Sequence, residues 1–233
     1  MPHSHAGMLK SIKDIMRDDA EDGMSDIISK IESEKIAEGI EYETMIRDGN
    51  LVSQIKYVME QEDVEMIIMG TKGASGIESA LIGSNTVDVV KNVHIPVLAI
   101  PEKVKYKKID RIVFAADYKR LDNHSRLNPV IEISKNSDAE IQFLNVSKDG
   151  VDHSDSEEAK KLSKFMGAVK HSYQHVKNSD IVEGITHYID KHPTDLLVMI
   201  MRKHNLFNAL FHSSITKQLA FQTQVPLLVI HEK

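Results

Sequence analysis

The chain has 233 residues, 41% of them hydrophobic, with a formal net charge of −6 and a pI near 6.1, enough for one large core or two modest ones. Cysteine is absent, which excludes disulfides, thiolate metal sites and thiol nucleophiles, and the acidic balance argues against a generic nucleic-acid binder, because basic residues cluster only in short pieces such as Lys103 to Lys108. No apolar run approaches the ~20 residues needed to span a bilayer, and the start, MPHSHAGMLKSIKD, lacks the apolar core of a signal peptide, so a cytoplasmic protein is expected.

In chain order, Met8 to Glu38 reads as a long helix with Ile12, Ile15, Met16, Ile27, Ile28 and Ile31 on its apolar side and Gly39 as its stop. The pattern weakens over the acidic patch Arg17 to Gly23, read as a solvated face in preference to a break between two helices. Ile40 to Arg47 alternates as a strand does, Asp48-Gly49-Asn50 is turn chemistry, and Leu51 to Gln61 is a helix. An apolar strand around Met66 to Met69 leads into a glycine-rich loop, a helix beginning near Ser84 to Thr86, and a second apolar strand from Val97 to Ile100.

The remainder starts with the strand Ile109 to Ala116, ending at Asp117. A helix from about Asp122 to Lys135, a strand Glu140 to Val146, a polar loop Ser147 to Asp155 and a helix from Glu157 to about Val169 follow. Then come a strand His171 to Val176, a helix Ile181 to Lys191, a strand Leu196 to Met201, a helix Ser214 to Gln222 and a last strand Leu227 to Ile230. Strands and helices alternating at these lengths predict an α/β fold: a parallel sheet with helices on both faces.

Shifting the chain by 130 positions lays Pro96 on Pro226, Val97 to Ile100 on Leu227 to Ile230, and Glu65 to Met69 on Asp195 to Met199. Leu51, Val52, Ile55 and Met59 fall on Ile181, Val182, Ile185 and Ile189, a helical stripe in each copy. The chain is a tandem duplication, with a first copy over residues 1–102, a second over 103–233 and a linker near Glu102 to Lys108. The region from Ile109 to Val146 has no counterpart in the first copy, which begins at its second helix. A truncated or misassigned start, a partly disordered first copy, or a segment exchanged from another subunit would each account for this, and the first is favoured because so much buried apolar area is missing.

Gly70, Gly73 and Gly83-Ser84 follow one another as glycine, two residues, glycine, nine residues, glycine-serine. Glycines let backbone N–H groups approach an anion, and the following helix aims its positive end at the same place, so the chemistry is that of a phosphate cradle. This spacing, between two apolar strands and with Pro96 before the second, resembles the nucleotide-binding loop of the universal stress protein family. The resemblance implies two tandem Rossmann-like, doubly wound domains, the first incomplete. It also implies ATP or AMP as the ligand, held by Gly70, Gly73, Gly83 and Ser84 with Lys72, Asn85 and Thr86 beside them.

In nucleotide-binding relatives the family pattern also places an aspartate at the end of the first strand. The second copy keeps that strand and Asp117 but carries Ile200, Lys203 and Ser213 where the first copy has Gly70, Gly73 and Gly83, with Ser214 matching Ser84. Its side chains obstruct a close backbone approach, so it is not expected to bind a nucleotide in the family's manner. The first copy's loop is no Walker A motif, because no Gly-Lys-Ser/Thr follows, and no magnesium ligand is marked.

No catalytic constellation and no compact metal motif occurs in the sequence, the twelve histidines being scattered. An enzyme is therefore not expected, beyond incidental slow ATP hydrolysis. Two functional classes remain open. One is a nucleotide-binding stress-response sensor or regulator. The other is a scaffold without nucleotide, whose halves pair through their last strands and which binds a partner protein or an apolar ligand. Intramolecular pairing of the halves is expected, a homodimer is open, and no nucleic-acid or membrane partner is expected.

Overall fold

The computed structural model of the protein describes residues 4–35, 38–71, 84–115, 124–201 and 225–231. Among these, seven strands form one sheet. The first copy supplies β1 (Ile67–Gly70) and β2 (Val97–Ile100), and the second supplies β3 (Arg111–Ala115), β4 (Glu140–Ser147), β5 (His171–Lys177), β6 (Leu196–Met201) and β7 (Leu227–His231). Their order across the sheet is β1-β2-β7-β6-β3-β4-β5. Neighbours are parallel throughout except at β2 and β7, the last strands of the two copies, which pair antiparallel through Val97↔Val229, Leu98↔Leu228 and Ala99↔Leu227.

The duplication extends to the register. Ile67 pairs with Val97 in one copy and Leu197 with Leu227 in the other, and the amides of Ile67 and Leu197 both donate at 2.9 Å to the carbonyls of Pro96 and Pro226. The central strands read as continuous apolar runs because both of their faces are covered: Ile112 to Ala115, Leu196 to Ile200 and Leu227 to Ile230 are all buried. Phe114 and Phe143 meet edge-on at 5.4 Å between ring centroids, and Phe143 stacks on Tyr173 at 5.4 Å. This core also holds Leu127, Ile131, Leu162 and Met166, and Met66 and Leu98 of the first copy pack against it.

The helices are α1 (Ser4–Ser33), α2 (Leu51–Gln61), α3 (Ser84–Asn92), α4 (Asn128–Ser137), α5 (Glu157–Met166) and α6 (Ile181–Lys191). α2 and α6 lie 130 positions apart at both ends. Local chemistry sets several boundaries. Ser156 caps α5 by accepting from Ala159 N at 3.2 Å, and Gly167, at φ +56°, ends it earlier than the expected Val169. Asp180 caps α6 by accepting from the amides of Val182 at 3.0 Å and Glu183 at 3.3 Å. Pro129 delays α4 to Asn128, behind a 3₁₀ turn at His124–Leu127, where the sequence predicts a helix from about Asp122.

The chain divides into two compact units, Met1–Gln54 and Ile55–Lys233. In the first unit, α1 runs without a break through Arg17 to Gly23, which is a solvated face where Arg17 pairs with Glu21 at 3.1 Å. Twelve residues separate the patch Ile12, Ile15 and Met16 from the patch Met24, Ile27 and Ile28, which turns the second by about 120° around the axis. The apolar stripe weakens for that reason while the helix continues. α1 ends at Ser33 rather than Glu38, with Lys35 at φ +53° ahead of Gly39 at φ +80°.

The expected strand from Ile40 to Arg47 is not one: these residues carry no ladder, and Ile40 is 64% exposed. The repeat supplies the reason. The same positions of the second copy form β5, which pairs with β4, whereas residues 10–17 of the first copy, at the positions of β4, lie in α1 and offer no strand. Alternation of side chains suits a strand, but a strand exists only against a neighbour that takes up its backbone groups. The expected helix Ser214 to Gln222 and the strand end at Asp117 lie outside the described residues.

Candidate functional site

β1 and α3 bracket the glycine loop. Gly70 is the last residue of β1, and the ladder continues one step beyond it, with Thr71 N donating to Ile100 O at 3.1 Å. Thr71 is buried, and so is Thr86, in the first turn of α3, whose Oγ1 donates to the Gly70 carbonyl at 3.2 Å. The end of the strand is thereby tied to the start of the helix sixteen residues later. Ser84 opens α3, so the amides of the first turn have no partners within the helix.

A Cβ built on Gly70 meets nothing within 4 Å, and its φ is not positive. Neither backbone conformation nor crowding by the described residues requires glycine here. Among the described residues the missing side chain leaves space beside the backbone, which is what close approach of a phosphate demands. Asn85 is exposed on α3, whereas Thr86 is buried with its hydroxyl engaged, which makes it a tie holding the loop's ends. Lys72, Gly73 and Gly83 lie outside the described residues.

At the position of Gly70 the second copy has Ile200, which is buried in the core with Leu228 and Ile230. The strand end that is open beside Gly70 is occupied there by a branched side chain. Lys203, Ser213, Ser214 and Asp117 fall outside the described residues. No group of three or more His, Asp or Glu side chains that could hold a metal ion occurs among the described residues.

Two contacts were not anticipated from the sequence. His231, the last residue of β7, is partly buried, and its Nε2 donates to the Val90 carbonyl in the last turn of α3 at 2.7 Å, so a side chain of the second copy satisfies a helix-end carbonyl of the first. Its Nδ1 is buried without a hydrogen-bond partner among the described residues. Burial, opposed by the hydrogen bond to the Val90 carbonyl, holds its pKa below the usual imidazole value of 6.5. The second contact is Asp195, just ahead of β6. Its Oδ2 accepts from the amides of Asp110 and Arg111 at 2.9 Å each, and its carboxylate pairs with Lys107. Burial acts to raise its pKa, but these donors outweigh it and the net shift is downward. The repeat comparison already aligned Asp195 with Glu65, which was the available signal.

Comparison with known proteins agrees with this architecture. The profile of the Universal stress protein family matches the chain twice, over residues 4–101 and 108–231. A universal stress protein of Methanocaldococcus jannaschii is 28% identical over 101 residues, which are 42% of this chain and 56% of that protein, so the match spans little more than half of the relative's length. The crystal structure of a universal stress protein from Archaeoglobus fulgidus superimposes with a TM-score of 0.68 at 21% identity, covering 94% of this chain and 78% of that one, and shows the same fold. A second universal stress protein from Archaeoglobus fulgidus, solved in complex with dAMP, covers 55% of this chain and 100% of its own at 15% identity and a TM-score of 0.36.

Proposed function

Because the chain belongs to the universal stress protein family, we propose that it is a cytoplasmic stress-response regulatory protein whose first copy binds an adenine nucleotide, ATP or AMP, at the loop after β1. The observation that carries this reading is the framing of that loop. Thr86 Oγ1 clamps the Gly70 carbonyl at 3.2 Å, no described residue crowds a Cβ placed on Gly70, and α3 begins at Ser84 with first-turn amides that lack partners within the helix. Gly70, Gly73, Gly83 and Ser84 would contact phosphate through the backbone, with Lys72 and Asn85 at the rim and Thr86 holding the frame. The protein would act as a sensor that carries nucleotide rather than as a hydrolase, since the sequence supplies neither a Walker A lysine nor a metal ligand set.

Calorimetric titration of the full chain with ATP and AMP, paired with a thermal shift, tests this. Ligand at 100 times its dissociation constant should stabilise the chain by about 2.7 kcal/mol, and Gly73→Leu should abolish the shift. No shift at millimolar nucleotide overturns the reading.

The antiparallel union of β2 and β7 favours the second reading, a scaffold whose paired halves present a surface to a partner protein or an apolar ligand. Absence of nucleotide binding together with retained partner capture by the Gly73→Leu chain would decide for it.

A further inference from the structure

Gly167, at φ +56°, ends α5 and turns the chain back, which brings His171 at the start of β5 beside Ser163 of the helix. His171 Nε2 lies 3.2 Å from Ser163 Oγ, and its Nδ1 lies 2.8 Å from the Val169 carbonyl. A carbonyl only accepts, so the neutral ring carries its proton on Nδ1 and turns the lone pair of Nε2 toward the Ser163 hydroxyl. Ser163 Oγ is also 2.8 Å from Tyr173 Oη, two residues along β5 on the same face. With the serine proton directed at Nε2, tyrosine is the donor in that contact, its proton shared with the Ala159 carbonyl at 3.0 Å.

A hydroxyl, a base within hydrogen-bond reach of it and a third group that fixes the tautomer of the base are the parts of an activated nucleophile. Acyl transfer needs in addition a donor where negative charge develops, and the phenol hydroxyl beside Ser163 supplies one. Burial, opposed by the hydrogen bond with Ser163, holds the Tyr173 pKa above the usual phenol value, so the group stays protonated and able to donate at neutral pH. Both rings rest on buried Phe143, which stacks on Tyr173 and meets His171 edge-on at 6.3 Å between centroids. Ser163, His171 and Tyr173 are themselves only partly buried, which leaves them open to a small substrate.

We propose that Ser163 is the nucleophile of a site separate from the Gly70 loop, which transfers the acyl group of a small carboxylic ester to water with His171 as base and Tyr173 as oxyanion donor. Ser163 Oγ bonds to the carbonyl carbon while its proton passes to His171 Nε2, and the carbonyl π pair moves onto the oxygen that Tyr173 holds. Collapse of the adduct breaks the bond to the ester oxygen, which leaves as the alcohol with the proton from Nε2. Water then repeats the sequence on the acyl-serine, releasing the carboxylic acid and restoring the hydroxyl. This activity stands apart from nucleotide binding.

The probe is 4-nitrophenyl acetate mixed with the full chain, read as nitrophenolate release and, after an acid quench, as acetyl mass on the peptide that carries Ser163. A burst is expected, with one acetyl group per chain and that group on Ser163. Ser163→Ala should abolish the burst, and His171→Gln and Tyr173→Phe should each slow it by about a hundredfold. These changes also remove hydrogen bonds between α5 and β5, so Ser163→Cys gives a second reading. The chain has no cysteine, which makes the introduced thiol its single one, and iodoacetamide should alkylate it about tenfold faster than when His171→Gln is added. The mapping on the unaltered chain needs no variant: absence of acetyl from Ser163, or acetyl confined to lysines and other histidines, overturns the inference. So does ester hydrolysis that Ser163→Ala leaves unchanged.

Discussion

Gly184 of α6 sits so close to β4 that a Cβ placed on it would come within 2.6 Å of Val146 Cγ1 and 3.1 Å of Asn178 Cβ. Helix and strand can pack at this distance only because the side chain is missing. Gly184→Ala should therefore destabilise the protein by about 1–3 kcal/mol through overpacking, despite alanine's better helix propensity. Its counterpart Gln54 makes local contacts instead, its Nε2 donating to Asp48 O at 2.9 Å and its Oε1 accepting from Arg47 Nε at 2.7 Å. Gln54→Gly should cost about 1 kcal/mol, the ordinary price of glycine in an exposed helix. Urea denaturation of the two variants separates a glycine packed on a strand from a glutamine whose contacts are local.

Removing the hydroxyl of Thr86 leaves a near-isosteric side chain and an unsatisfied Gly70 carbonyl. Thr86→Val should cost about 1–3 kcal/mol. Hydrogen exchange should speed first in α3 and at Thr71, and nucleotide affinity should fall with it if the loop is framed as proposed.

His231 makes stability depend on pH in a stated direction. Its folded pKa lies below the unfolded value of 6.5, so between the two the unfolded chain binds more protons. Its contribution is fully present above 6.5 and declines as pH falls through that value toward the folded pKa. His94, the titratable neighbour whose charge opposes its protonation, acts in the same direction. Chemical denaturation from pH 7.5 to 5 should show stability falling on acidification, and His231→Gln should flatten that part of the profile.

Asp195 works in the carboxylate range. Lys107 and the amides of Asp110 and Arg111 hold its folded pKa below 3.8, so its contribution is present above that value and is lost as pH falls through the folded pKa. Asp195→Asn should cost about 1–3 kcal/mol at neutral pH by weakening charge-assisted hydrogen bonds at the start of β3. The loss should vanish at low pH, where the wild-type carboxyl is itself neutral.

The elements best read from sequence are those that the duplication states twice. Leu51–Gln61 and Ile181–Lys191 coincide at both ends, and the proline-led strands Val97 to Ile100 and Leu227 to Ile230 fall where their apolar runs place them. Ile40 to Arg47 was misread because alternation is local while pairing is not: the same pattern is β5 beside β4 in one copy and unpaired chain in the other. The glycine spacing marks the stretch between β1 and α3, but the tie of the Thr86 hydroxyl to Gly70 O cannot be read from spacing. His231 had no signal at all, since the contact to Val90 spans 141 positions and its counterpart in the first copy is Pro101.

The antiparallel seam gives the molecule two opposed rims. Strands of a parallel sheet offer their ligand crevice beyond their carboxyl ends. Because β2 meets β7 head to tail, the carboxyl ends of β1 and β2 open on one rim and those of β3 to β7 on the other. The end of β1 at Gly70 and the ends of β3 and β6 at Ala115 and Met201 are therefore kept apart by the length of the strands. Within the sheet the two rims are joined across the three residue pairs of β2 and β7, with Leu98 and Leu228 at their centre.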